Sequence, residues 1–144
     1  MSRLIDIHIK GGTLVDGTRA PRRVADLWID EGKVLQIGGP APGVAKKTID
    51  ATGMIVAPGF IDLHTHYDAQ IHWDPYCTIS GWHGVTSVVL GNCGFGFVPV
   101  KPEYRERSLL TMTRTEAIPY DTMKAGMPWK WETAPEYMAH LGRI

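Results

Sequence analysis

In the first third of the chain, apolar and polar residues take turns. Leu4-Ile5-Asp6-Ile7-His8-Ile9-Lys10 repeats with a period of two, the pattern of a half-buried strand, and Gly11-Gly12 is expected to stop it. Thr13-Leu14-Val15 then reads as a second short strand closed by Asp16-Gly17. Val24 to Asp30 alternates again, Glu31-Gly32 supplies a two-residue turn, and Lys33 to Gly38 forms the returning arm of a β-hairpin. After the loose loop from Gly38 to Gly43, Lys47 to Ala51 is another brief strand, and Thr52-Gly53 turns the chain into Met54 to Ala57. This part reads as all β, with His8 at an outward-facing polar position and without a role.

Beyond Ala57 the pattern changes. Ile55, Val56, Phe60, Ile61 and Leu63 make an apolar run of strand length that Pro58-Gly59 bends. A polar and aromatic loop from Asp68 to Pro75 leads to a short helix end at about Ser80 to His83, stopped by Gly84. Val85 to Leu90 is β-branched and uncharged, the composition of a parallel strand buried on both faces. Strand, loop, helix and strand in this order predict parallel strands joined by a crossover, and hence an α/β fold. A helix is expected over Glu103 to Met112, a shorter turn over Tyr120 to Ala125, and a last helix with Thr133 as N-cap and Pro135 in its first turn. Trp129 and Trp131 fall on one side if that segment is extended, an arrangement that suits core packing better than ligand contact.

Composition narrows the class. The 144 residues carry a formal net charge of +0, and 44% are hydrophobic, which excludes a disordered chain and a basic nucleic-acid footprint. Cys77 and Cys93 are too few for a disulfide framework and form no Cys-x-x-Cys pair. Neither a leader-like N-terminus nor an apolar run of membrane-spanning length is visible, so a soluble, cytoplasmic protein with no membrane or nucleic-acid partner is expected.

The chemistry concentrates after the apolar run. In Asp62-Leu63-His64-Thr65-His66, alternation puts both imidazoles on one side and Thr65 on the other. The next strand leads into Gly91-Asn92-Cys93-Gly94-Phe95-Gly96, whose glycines fit neither a P-loop nor a dinucleotide fingerprint. Neighbouring strands lie ~4.8 Å apart, so Cys93 can reach the point that His64 and His66 face. Nitrogen and thiolate donors together select zinc. A lone cysteine at a strand end also fits the role of a small apolar residue, and a bare His-x-His also fits ordinary packing. Asp68 fits three roles, orienting a histidine, lining a substrate pocket or capping a loop, and Asn92 is a candidate pocket residue. Asp62 suits a structural hydrogen bond, and His72, His83 and Cys77 suit the scaffold.

The segments GGTLVDGT, VAPGFIDLHTHYDAQIHWDP, HGVTSVVLGNCGFGFVPVKP and MPWKWETAPEYM resemble, in order and spacing, the N-terminal part of N-acyl-D-amino-acid deacylases (D-aminoacylases) of the amidohydrolase superfamily. PGFID-H-x-H marks only the superfamily, whereas GNCGFG and the PWxWE-x-PEY signature are specific to the deacylase branch. The resemblance implies an α/β fold: the start of an amidohydrolase-type (β/α)8 TIM barrel over residues 58–144, preceded by part of a small β-sandwich over residues 1–57. It implies one or two zinc ions held by His64, His66 and Cys93, the last in the bridging place that a carboxylated lysine fills in many relatives. It also implies a small N-acyl amino acid substrate and a catalytic acid/base aspartate beyond Ile144, so that this stretch alone is expected to be an inactive fragment. The alternatives are a cyclic-amide hydrolase of the dihydropyrimidinase or hydantoinase kind, and a non-catalytic remnant of such an enzyme.

Overall fold

Glu31 and Gly32 both adopt the left-handed backbone, with φ of 50° and 72°, as a tight hairpin turn requires. Arg23–Asp30 (β2) therefore folds back antiparallel on Lys33–Ile37 (β3). The computed structural model describes residues 3–144, and the chain divides after Pro58 into two compact units.

In the first unit, Leu4–Leu14 (β1) is one strand, not the two expected from Gly11-Gly12. The glycine pair makes a bulge: the register against β2 shifts between Ile9 and Gly12, and Gly11 has a φ of 69°. Asp26 Oδ1 accepts the Gly11 N–H at 2.9 Å. A Cβ on Gly12 would lie 2.4 Å from Val56 Cγ2, so a side chain here would drive β1 away from Val56. The other edge of β1 pairs in parallel with Val44–Asp50 (β4) and then with Ile55–Val56 (β5). Ile5, Leu14, Leu27, Trp28 and Ala51 are the buried apolar residues of this unit. His8 does have a structural role. Its ring stacks on Trp28 at 3.8 Å and its Nε2 lies 2.9 Å from Asp26 Oδ2. The Gly11 N–H and His8 hold the Asp26 carboxyl below the usual carboxylate range.

The second unit opens with Phe60–Asp62 (β6), which pairs in parallel with Val85–Val88 (β7). Gly59 permits this approach, because a Cβ there would fall 2.1 Å from Thr86 Cγ2. Between the strands run a 3-10 turn at Gln70–His72 and a short helix, Thr78–Trp82 (α1). Asp74 starts α1 by accepting the Thr78 N–H at 3.0 Å and the Thr78 hydroxyl at 2.6 Å, and Gly84 at φ 82° lets the chain leave it. Contrary to the composition of Val85 to Leu90, β7 is not buried on both faces. Thr86 and Ser87 are exposed, and so are Phe60 and Ile61 on β6; because neighbouring residues of a strand point to opposite faces, neither face of the two-stranded sheet is fully covered among the described residues.

The core of this unit gathers around Trp131, which is 2% exposed and donates its indole N–H to the Phe97 carbonyl at 2.7 Å. Arg105–Glu116 (α2) contributes Leu109 and Met112, Tyr120–Gly126 (α3) contributes Met123, and Ala134–Leu141 (α4) contributes Tyr137. The expected N-cap is present as a capping box: the Glu136 carboxylate accepts the Thr133 N–H at 3.0 Å. Trp129 takes a left-handed backbone (φ 45°), so its segment is not a plain strand, yet its ring still lies 5.8 Å from that of Trp131. His72 belongs to this nest, stacked on Trp131 at 4.8 Å and beside His140 at 5.3 Å. Desolvation pushes the His72 imidazole down to about 4.

Candidate metal centre

β6 stops at Asp62 because that side chain turns the backbone out of the ladder: its Oδ1 accepts the His64 N–H at 3.1 Å. His64, Thr65 and His66 therefore follow the strand and do not lie within it, as the alternation suggested. The parity nevertheless holds. Thr65 is buried and donates its hydroxyl to the Val89 carbonyl at 2.8 Å, while His64 and His66 are exposed, with ring centroids 5.6 Å apart and planes 22° from parallel. The Thr65 bond ties this segment to the residue just past β7.

Cys93 comes from the glycine-rich loop that continues β7. One donor atom from each of His64, His66 and Cys93 lies within 4.8 Å of the others, and among the described residues this is the one group of three His, Cys, Asp or Glu side chains so arranged. Two donors in a tetrahedral zinc site stand roughly 3.5 Å apart, so small side-chain rotations would close the set on one ion. Two imidazoles and a thiol also match the ligand chemistry of zinc. The residues fit the metal.

Two polar ties hold the Cys93 loop. Asn92 Nδ2 donates to the Leu63 carbonyl at 2.5 Å, and Asp68 Oδ2 accepts the Gly91 N–H at 3.3 Å. Gly91 and Gly94 take φ of 73° and 86°, a conformation that favours glycine. Asp68 is buried, and burial lifts its carboxyl above the ordinary range against the opposing pull of the Gly91 N–H and of His66. Both side chains are thus engaged with the backbone next to the three donors. Asp62 makes the structural hydrogen bond expected of it. His83 and Cys77 lie outside the three-donor group, and burial raises the Cys77 thiol.

A cavity of ≈ 330 Å³ opens beside the imidazoles, walled by Asp62, His64, Thr65, His66, Tyr67, Gln70, Ser80, Glu116 and Ile118. Glu116 escaped the sequence reading, which ended its helix at Met112. It is the last residue of α2, its side chain is 2% exposed, and its Oε1 lies 3.7 Å from His66 Nδ1. Burial, and secondarily the charge of Asp68, pushes its carboxyl up to about 7. The local signal was its position: a carboxylate at a helix C-terminus opposes the helix dipole and is out of place unless something nearby requires it.

The sequence profile of the amidohydrolase family matches residues 47–144. The chain belongs to the amidohydrolase family. This amidohydrolase chain is 33% identical over 140 residues to a D-aminoacylase of Alcaligenes xylosoxydans xylosoxydans, covering 97% of this chain and 27% of that protein. It is 41% identical over 99 residues to the N-acyl-D-glutamate deacylase of the same organism, covering 69% of this chain and 20% of the relative. Among solved structures, it resembles the N-acyl-D-glutamate deacylase of Bordetella bronchiseptica in complex with zinc and a phosphonate mimic of the tetrahedral intermediate. That likeness has a TM-score of 0.63 and 43% identity, and covers 68% of this chain and 21% of the other. The amidohydrolase chain thus spans about a quarter or less of the length of these relatives.

Proposed function

We propose that these residues are the N-terminal part of a zinc-dependent amidohydrolase that cleaves the linear amide of N-acyl-D-amino acids, giving a carboxylate and a free D-amino acid. Residues 1–57 would then begin a β-sandwich, and residues 58–144 would supply the first strands and helices of a (β/α)8 barrel. The observation that carries the reading is the convergence of His64, His66 and Cys93 donors within 4.8 Å at the ends of two parallel strands. Strand C-termini are where barrel enzymes assemble their sites. The deacylases at 33% and 41% identity support the linear amide as substrate.

His64 and His66 would each give an imidazole nitrogen and Cys93 a thiolate. Zinc, when bound, supplies a Lewis acid for a carbonyl and acidifies water to a pKa of ~7. Asn92 and Asp68 hold the thiolate loop against the histidine segment. We assign no proton transfer to Asp68, because its carboxylate is buried and engaged with the Gly91 N–H. By the family resemblance, that task falls to an aspartate of the longer enzymes.

Cobalt loading tests the donor set. The 144-residue chain titrated with Co²⁺ should develop a thiolate-to-cobalt charge-transfer band that zinc displaces and Cys93→Ala removes. A wild-type chain without that band overturns the site. For the substrate, a longer protein containing these residues should release D-amino acid from N-acyl-D-amino acids and lose that activity with Cys93→Ala. Hydrolysis of cyclic amides in preference to linear ones would overturn the deacylase reading.

A further inference from the structure

We infer that Glu116 is a positioning residue for His66. It would accept the imidazole Nδ1–H and so reserve Nε2 for the metal. The inference rests on the metal site proposed above and extends it to a group outside the three donors.

Four observations support it. Glu116 Oε1 lies 3.7 Å from His66 Nδ1, within ion-pair range and about one small rotation from a hydrogen bond. The Glu116 side chain is 2% exposed, and its other oxygen, Oε2, is buried without a hydrogen-bond partner among the described residues, so the carboxylate has been taken from water with His66 as its ion-pair partner. An uncompensated buried carboxylate costs several kcal/mol, a cost that a neighbouring N–H offsets. Asp68 is the other buried carboxylate near His66, but it is already engaged with the Gly91 N–H. Lastly, α2 ends at Glu116 because Ala117 turns left-handed (φ 53°), which fixes the height of the carboxylate beside the cavity.

An imidazole that binds a metal through one nitrogen is oriented by what its other nitrogen touches, and loss of such a partner weakens metal binding by about 10- to 100-fold. With Nδ1 facing Glu116, Nε2 is the nitrogen left for the ion that His64 and Cys93 also face. A carboxylate that only filled space would leave the tautomer of His66 free.

The test uses the 144-residue chain loaded with zinc, with two readouts independent of turnover. Zinc competition against a chromophoric chelator should give an affinity about tenfold or more weaker in Glu116→Ala. Glu116→Gln, which keeps an acceptor oxygen and the shape of the side chain, should recover most of it. Long-range ¹H–¹⁵N spectra of ¹⁵N-histidine protein should show His66 metal-bound at Nε2 with a slowly exchanging Nδ1 proton, and that proton should exchange rapidly in Glu116→Ala. If Glu116→Ala fails to fold, the spectrum of wild type and Glu116→Gln decides. Coordination of His66 through Nδ1, or an Nδ1 proton in fast exchange in wild type, overturns the inference. Zinc affinity and Nδ1 exchange unchanged in folded Glu116→Ala overturn it alone and leave the three-donor site standing. Absence of zinc binding in wild type overturns both.

Discussion

Asp68 accepts the backbone N–H of Gly91 at 3.3 Å, so the segment that carries His64 and His66 shares a half-buried polar link with the loop that carries Cys93. Asp68→Ala should leave that N–H without its partner and cost about 1 to 3 kcal/mol. Asp68→Asn keeps an acceptor and removes a charge that burial disfavours, so it should cost much less. Amide hydrogen exchange at Gly91 checks this: fast in the alanine variant, close to wild type in the asparagine one.

Trp131 joins the helices of the second unit to the Phe97 backbone through packing and its indole N–H. Trp131→Ala should destabilise this unit by about 3 to 5 kcal/mol. Trp131→Phe retains a ring but leaves the Phe97 carbonyl without its donor, and should cost roughly 1 to 3 kcal/mol. Urea unfolding followed by far-ultraviolet circular dichroism measures both.

The fit of Gly59 against Thr86 is specific enough to test as a pair. A Cβ at Gly59 meets Thr86 Cγ2 at 2.1 Å and Thr86 Oγ1 at 2.3 Å. Gly59→Ala should therefore lower stability by about 1 to 3 kcal/mol, the usual cost of overpacking. Thr86→Ala removes both atoms and should restore part of that loss in the double variant. Strict additivity of the two substitutions in a double-mutant cycle would show that the strands do not meet there.

Stability should fall on mild acidification. The folded protein keeps His72 neutral down to about 4, whereas an unperturbed histidine takes up its proton near 6.5. Between these values the unfolded chain binds more protons, so stability rises with pH across the window and is lost as pH falls through it. The contribution is at most about 3 kcal/mol. His72→Phe keeps a ring on Trp131 and should flatten most of the slope between pH 4 and 6.5. His140, also shifted down by burial and by Lys130 and Arg143, should account for what remains.

Expressed by itself, the 144-residue chain should self-associate and should not hydrolyse N-acetyl-D-amino acids measurably. Phe60, Ile61 and Leu63 are 69%, 65% and 63% exposed beside a two-stranded sheet, an apolar edge open to pairing. Ile61→Lys should shift the protein toward monomer in analytical ultracentrifugation. Chelator-sensitive turnover by the monomeric wild-type chain would overturn the assignment of proton transfer to residues outside it.

What the sequence disclosed depended on how local the cause was. The hairpin at Glu31-Gly32 and the N-cap at Thr133 are decided within a few residues, and both were legible. Gly11-Gly12 suited either a turn or a bulge, and the choice lay with Asp26 and Val56, which are remote in sequence. The amidohydrolase family was legible in its motifs. That His64 and His66 would share a side followed from parity, but their place beyond the strand depended on the Asp62 cap. Glu116 left only the mark of a carboxylate at a helix end; its burial beside His66 was not legible, because it depends on residues remote in sequence.

Because Thr65 is anchored to Val89 while His64 and His66 flank it on the open side, the site depends on residue count as well as residue identity. Loss or gain of one residue between Asp62 and His66 would send an imidazole toward the Val89 carbonyl and bring a threonine or leucine to the open side. Substitutions in this stretch can be graded in their effects, but a single-codon deletion there cannot. In a library of in-frame deletions across the chain, this short interval should emerge as a sharp zone of intolerance to changes in length.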